Sequence, residues 1–215
     1  MEDRNIRADA AEVTYSVAAR RFHWWTVLLV LTQIPLGLYM AYRGNVLDIW
    51  DGVTNALYSS HKSLGILIFL LVLTRLLYRL GHGAPPDEPT ITWWQKAGGH
   101  FNHWALYLAL LVVPVLGYTG ISLYPALDIF GLFSLPGIVA ANQDAAARVF
   151  YWHWVGAVAI VLLIGMHVAA ALFHYLIRRD GVLRRMWVRA GRLGCSGRYC
   201  RSPRRGLPAS TAVGP

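Results

Sequence analysis

Residues 150–177 read FYWHWVGAVAIVLLIGMHVAAALFHYLI, twenty-eight positions without one Asp, Glu, Lys or Arg. A bilayer core about 30 Å thick is crossed by about 20 apolar residues in a helix, so this stretch predicts a membrane span and decides the class of the chain. Working outward, residues 22–42 and 103–124 are equally free of charged side chains and predict two more spans. A fourth, over 60–80, carries Lys62, Arg75 and Arg79. All three lie near its ends, where long side chains reach the water interface.

The whole composition agrees. Hydrophobic residues make up 56% and charged residues 14% of 215 positions, with mean hydropathy +0.41, which excludes a disordered chain and argues against an ordinary cytosolic enzyme. Nine Trp, eleven Tyr and seven Phe suit the two membrane–water interfaces, where amphipathic rings settle. The expected fold is therefore an all-α membrane protein, a four-transmembrane-helix bundle. Ten of the twenty Lys and Arg follow residue 177, so the net charge of +9 belongs mostly to a tail and carries no nucleic-acid signal. Cys195 and Cys200 also lie there, with neither a metal-pair nor a CxxC spacing.

The Lys/Arg bias sets orientation. An N-in, C-in arrangement places Arg4, Arg7, Arg20, Arg21, Arg75, Arg79, Lys96 and the ten tail arginines on the cytoplasmic side, against Arg43, Lys62 and Arg148 outside. The chain divides into a cytoplasmic N-terminal segment (1–21), a transmembrane unit (22–186) and a basic, disordered cytoplasmic tail (187–215) suited to anionic lipid headgroups. Residues 43–59 become an outer loop and 81–99 an inner loop. The apolar segment 125–149 is expected to lie along the outer interface. With no cleavage site behind it, the first span is read as uncleaved.

An ionisable side chain inside a membrane is costly and points to function. His23, His61 and His103 open the first three spans, and His153, His167 and His174 lie along the fourth. From His153 to His167 is about 40° short of four full turns and about 21 Å of rise. The two side chains thus share a face at different depths, a layout for two stacked cofactors. Antiparallel packing brings His61 to the depth of His153, and His23 to the inner half where His167 and His174 lie. Depth alone favours His174 for His23. His167 is preferred, because a His153/His174 set would stretch the cofactors about 31 Å apart, and this preference requires helix 1 to begin before Arg20. Two imidazoles on one haem iron leave no open position, so electron transfer is the implied chemistry. Small residues one turn beyond the ligands (Gly65, Gly156, Ala157, Ala170, Ala171) are expected to admit a flat macrocycle. A single zinc site is excluded, since His153 and His167 are too far apart to share an ion.

The segments RFHWW (21–25), SHKSLGI (60–66), TRLLYR (74–79) and GMHVAAALFH (165–174), together with the 14-residue His spacing, resemble the bacterial cytochrome b561 family, over nearly the whole chain to about Met186. That family is similar to the cytochrome b subunits of formate dehydrogenase and nickel-iron hydrogenase. The resemblance implies two haem b groups, with axial ligands His23 and His167 on the inner side and His61 and His153 on the outer side, exchanging electrons with ubiquinone or another membrane quinone. Arg75, Arg79, and Arg21 or its neighbour Arg20, are expected at the inner haem propionates, and Lys62 at an outer one. His103 and His174 are the inner candidates for bonding a quinone carbonyl, with Gln33, Tyr39 and Tyr124 as outer alternatives.

One family member resembles a superoxide oxidase, which passes electrons from periplasmic superoxide to ubiquinone. Lys62 and Arg148 could attract that anion, but Asp48, Asp51, Asp128 and Asp144 share the outer loops and cancel a net positive field. The expected function is a membrane di-haem cytochrome between the periplasmic side and quinone, with superoxide or a redox protein as donor. The alternative is a haem-bearing anchor for a separate periplasmic dehydrogenase or cytochrome. A transporter built on intramembrane His is disfavoured, because Pro35 and Pro114 interrupt the spans without any paired repeat.

Overall fold

The computed structural model describes residues 13–187 and 200–201. Four long helices dominate it: α1 (Val17–Ala41), α2 (Gly52–His82), α3 (Trp93–Leu123) and α4 (Gln143–Phe173). All four are long and apolar enough to cross a membrane. Each starts where the sequence supplies a cap. Ser16 Oγ accepts from the Ala19 amide, Asp51 Oδ1 from Thr54, and Asn142 Oδ1 from Ala145, while Thr92 and Gln95 form a capping box that meets two otherwise orphaned amides. α1 and α4 run on as π turns, Tyr42–Val46 and His174–Arg178.

The caps move the expected boundaries. α2 begins eight residues before Ser60, because Asp51 caps it and ion-pairs with Arg43 at 2.7 Å, while Arg43 Nε also donates to the buried Thr54 Oγ1 at 3.0 Å. The Thr54 amide holds the Asp51 carboxyl below the usual carboxylate range. α3 likewise begins at Trp93, so Lys96 and His100 stand on a helix and the inner loop shrinks to the residues between His82 and Trp93. His100 is exposed on that helix, its imidazole 3.2 Å from the Asp87 carboxylate. α1 begins at Val17, which places Arg20 and Arg21 on the helix rather than in a polar leader, as the His23/His167 pairing requires. A 31-residue helix rises about 46 Å, more than the hydrocarbon core, so the helix ends stand in the headgroup layers.

α1 packs along α2, α3 along α4, and α2 against α3. The buried centre is Val30, Ile68, Val72, Tyr107, Val113 and Ile160; the outward faces expose Leu31, Leu108 and Leu162 to the position lipid takes. At the inner end, residues 185–187 lie across the bundle. Trp24 Nε1 donates to the Met186 carbonyl (2.9 Å), Arg20 Nη1 to that of Trp187 (3.1 Å), and Arg185 pairs with Glu88 at 2.7 Å. The start of α1, the α2–α3 loop and residues 178–187 thus share one end, the one the Lys/Arg bias assigns to the cytoplasm. There β1 (Val13–Thr14) pairs antiparallel with β4 (Cys200–Arg201); the rest of the tail, including Cys195, lies outside the described residues.

The outer end is closed by the segment after α3. β2 (Asp128–Ile129) and β3 (Phe133–Ser134) form a hairpin, turned by Phe130 (φ 54°) and Gly131 (φ 70°). Left-handed backbone is costly for Phe. It is held because the Phe130 amide donates to Ser59 Oγ on α2 (3.0 Å) and the Gly131 amide to Asp128 Oδ2 (2.8 Å). This segment, expected only to lie along the interface, is thus tied to the bundle, with Leu132 exposed at its tip.

Candidate functional site

Two imidazole pairs lie inside the bundle at two depths. In the outer pair His61 on α2 and His153 on α4 have ring centres 6.2 Å apart and planes at 80°. In the inner pair His23 on α1 and His167 on α4 also stand 6.2 Å apart, at 59°. Depth arithmetic alone favoured His174 for His23, yet the ring beside His23 is that of His167. The cause is the early start of α1, which carries His23 nearly two turns into the helix.

The equal separations bear on what could sit between the rings. A metal–imidazole bond is about 2 Å long and a ring nitrogen lies about 1 Å from its ring centre. Two imidazoles on opposite sides of one ion therefore have centres about 6 Å apart. Both pairs fit two axial ligands of a haem iron. Among the described residues no group of three or more His, Cys, Asp or Glu is arranged to hold a bare metal ion.

The surroundings of the pairs differ. His153 Nδ1–H donates to the Val113 carbonyl at 2.9 Å, which orients the ring and leaves Nε2 free as an acceptor. His61 Nδ1 is buried without a hydrogen-bond partner among the described residues, although Gln33 Nε2 donates to the His61 carbonyl at 2.9 Å. The inner site draws on all four helices. Arg75 Nη2 on α2 donates to His23 Nδ1 at 3.2 Å, and His103 on α3 has its ring 5.3 Å from that of His167. His103 therefore belongs to the inner cluster, three turns into α3, and not to the membrane surface where the sequence seemed to place it.

Arg75 and Arg79 line a small cavity with Tyr15, Tyr78, Tyr107 and Met186. Arg75 lies over the Tyr107 ring and Arg79 over those of Trp104 and Tyr107. Among the described residues neither has an acidic partner, so two cations face an inner cavity beside His23, where carboxylates would be favoured. Burial pushes the Tyr15 phenol up, against the opposing pull of Arg79, Arg185 and Arg75. Of the adjacent pair in helix 1, Arg20 is buried beneath Trp187 while Arg21 is exposed.

Other expectations fall differently. Lys62 Nζ donates to the carbonyls of Ala126 (3.1 Å) and Asp128, so it anchors the outer hairpin. Arg148 is exposed. His174 is buried, its Nδ1 donating to Asp180 Oδ2 at 2.5 Å, which secures the end of α4. Of the small residues next to the ligands in sequence, a Cβ on Gly156 would run into Val113 and one on Gly65 would touch Gln33. The glycines that do abut the imidazoles are Gly37 on α1, against His61, and Gly117 on α3, against His153. They were missed because they lie on the facing helices. The available signal was a glycine just beyond Pro35 and another just beyond Pro114.

The model of the prokaryotic cytochrome b561 family matches residues 14–189. The chain is similar to cytochrome b561 homolog 2 of Escherichia coli (strain K12), at 32% identity over 80% of this chain and 90% of the relative. It is similar to a protein of Yersinia pestis named probable superoxide oxidase CybB, at 30% identity over 80% of this chain and 94% of that one. Cytochrome b561 homolog 1 of Escherichia coli (strain K12) is 28% identical, over 78% and 93%.

Proposed function

The chain belongs to the prokaryotic cytochrome b561 family, and from that premise we propose that it is a di-haem cytochrome carrying electrons between the periplasmic side and membrane quinone. Membership brings with it haem b, electron transfer in the membrane and a multi-pass place in the bacterial inner membrane. Residues 22–186 form the cytochrome unit, extended by the first turns of α1 and flanked by cytoplasmic segments 1–21 and 187–215. The observation that carries the two-haem reading is the pair of equal 6.2 Å separations, one at each depth.

In this reading His61 and His153 would hold the outer haem, and His23 and His167 the inner one. Haem b held there would supply one-electron carriage. The residues around it supply the rest. Val113 fixes His153 through its Nδ1–H. Arg75 and Arg79, neither with an acidic partner among the described residues, would offer the inner propionates two cations. His103, beside His167, is the inner group placed to donate to a quinone carbonyl. His174 is a weaker candidate for that role, because its Nδ1 is already committed to Asp180.

For the donor, the Yersinia pestis relative's name points to superoxide. One observation favours a docked redox protein, with the chain as its haem-bearing anchor. Of the outer cations Arg43 is paired with Asp51 and Lys62 is tied to backbone carbonyls, which leaves Arg148 as the exposed one to meet a small anion.

Purified protein should return two non-covalent haems per chain in a pyridine haemochrome assay. Reconstituted in vesicles with ubiquinone, it should reduce the quinone when superoxide is generated outside. One haem per chain overturns the two-site reading. Two haems with no superoxide-driven reduction transfers the donor role to a protein partner. A His103→Gln chain with both haems and wild-type quinone turnover removes His103 from the quinone site.

A further inference from the structure

The outer imidazoles share a feature that the inner ones lack. A Cβ added to Gly37 would stand 2.8 Å from His61 Cε1 and 3.1 Å from Nδ1; one added to Gly117 would stand 3.0 Å from His153 Cε1 and 3.1 Å from Nδ1. Carbon atoms in ordinary contact lie about 3.5–4.0 Å apart, so neither position admits a side chain unless the ring moves. In both cases the Nδ1–Cε1 edge enters the gap, and Nε2 stays 3.8 Å away. No glycine within the four long helices has such a contact with His23, His103 or His167.

The two notches are built alike on different helices. Each glycine lies four residues after a residue that hydrogen-bonds the histidine: Gln33 with the His61 carbonyl on α1, and Val113 with the His153 Nδ1–H on α3. Residues four apart share a helix face, so one helix face grips the histidine at one point and opens for its ring at the next. A proline lies just before each glycine, Pro35 and Pro114.

We propose that Gly37 and Gly117 are positioning residues of the outer site: each provides the notch that seats one axial imidazole and fixes the plane of its ring. This rests on the two-haem reading above. At His153 the notch also admits the Nδ1–H to the Val113 carbonyl, a bond that raises the basicity of the ligating nitrogen. At His61, whose Nδ1 has no partner among the described residues, the gap beside Gly37 is what holds the ring plane. The near-perpendicular outer planes, 80° against 59° inside, are its geometric result.

The test compares Gly37→Ala and Gly117→Ala, in the full-length detergent-purified protein, with two packing controls. Gly44→Ala places a Cβ 2.8 Å from the Tyr58 hydroxyl across the same α1–α2 contact, and Gly120→Ala places one 2.6 Å from Phe150 across the same α3–α4 contact. Haem content, redox titration and the low-temperature electron paramagnetic resonance of the ferric haems are read for each. Gly37→Ala and Gly117→Ala should shift the largest g value of one haem or lose that haem alone, the one also lost in His61→Ala. Gly117→Ala should raise its midpoint, since a less basic ligand stabilises ferric iron less. Both controls should keep the wild-type outer signal. Wild-type signals and midpoints in both glycine variants overturn the inference, as does the same outer change in a control, or loss of both haems together. Wild-type protein with a single haem instead overturns the two-haem reading beneath it.

Discussion

Replacing Arg75 by Leu removes a positive charge whose Nη2 lies 3.2 Å from His23 Nδ1. Across the imidazole and one metal–nitrogen bond, that puts the charge about 7 Å from the inner iron. At an effective dielectric of about 20, a unit charge at that distance is worth about 2 kcal/mol, or roughly 100 mV for one electron, taking about 59 mV per tenfold. The sign is fixed by the charge. Reduction adds an electron, a nearby cation favours the reduced form, and its loss lowers the midpoint. A spectroelectrochemical titration should therefore show one haem falling by roughly 100 mV while the other, a further 14 residues along α4, moves far less. Arg75→Lys keeps the charge and should recover most of the loss, which separates electrostatics from packing against Tyr107. Two unshifted midpoints in Arg75→Leu, or a shift of the haem that depends on His61 and His153, would refute the placement of Arg75 beside the inner haem.

Further outcomes follow from the contacts. His61→Ala and His153→Ala should each remove one and the same haem, and His23→Ala and His167→Ala the other, as measured by haem-to-protein ratio and spectrum. His174→Ala should retain both haems but lose about 1–3 kcal/mol of stability by leaving Asp180 Oδ2 unbonded, its Oδ1 still accepting from the Val182 amide, read as a lower Tm. A missing haem in that variant would return His174 to the ligand set. Lys62→Ala should keep both haems and speed amide exchange across residues 126–134, because the hairpin loses the ammonium that its carbonyls hold; unchanged exchange there would mean that the Ser59–Phe130 bond suffices.

The number of helices, the grouping of their ends and the pairing of the histidines by depth were legible in the chain. They depend on local quantities: runs of apolar residues measured against a bilayer thickness, Lys/Arg counts, and 3.6-residue periodicity, which alone puts His153 and His167 on one face. The choice of His167 over His174 was also reachable, but only by weighing cofactor distance against depth, because the start of α1 depends on the Ser16 cap. Beyond that the chain was silent for a physical reason: which side chains meet across helices depends on rotation and tilt, and no sequence period encodes these. Only the tertiary structure turned His103 towards His167, gave His174 to Asp180, and sent Lys62 to the outer hairpin carbonyls instead of leaving it free for a propionate. It also set Gly37 and Gly117, on the helices opposite, against the rings of His61 and His153, because space for a ring is decided by the surface it faces.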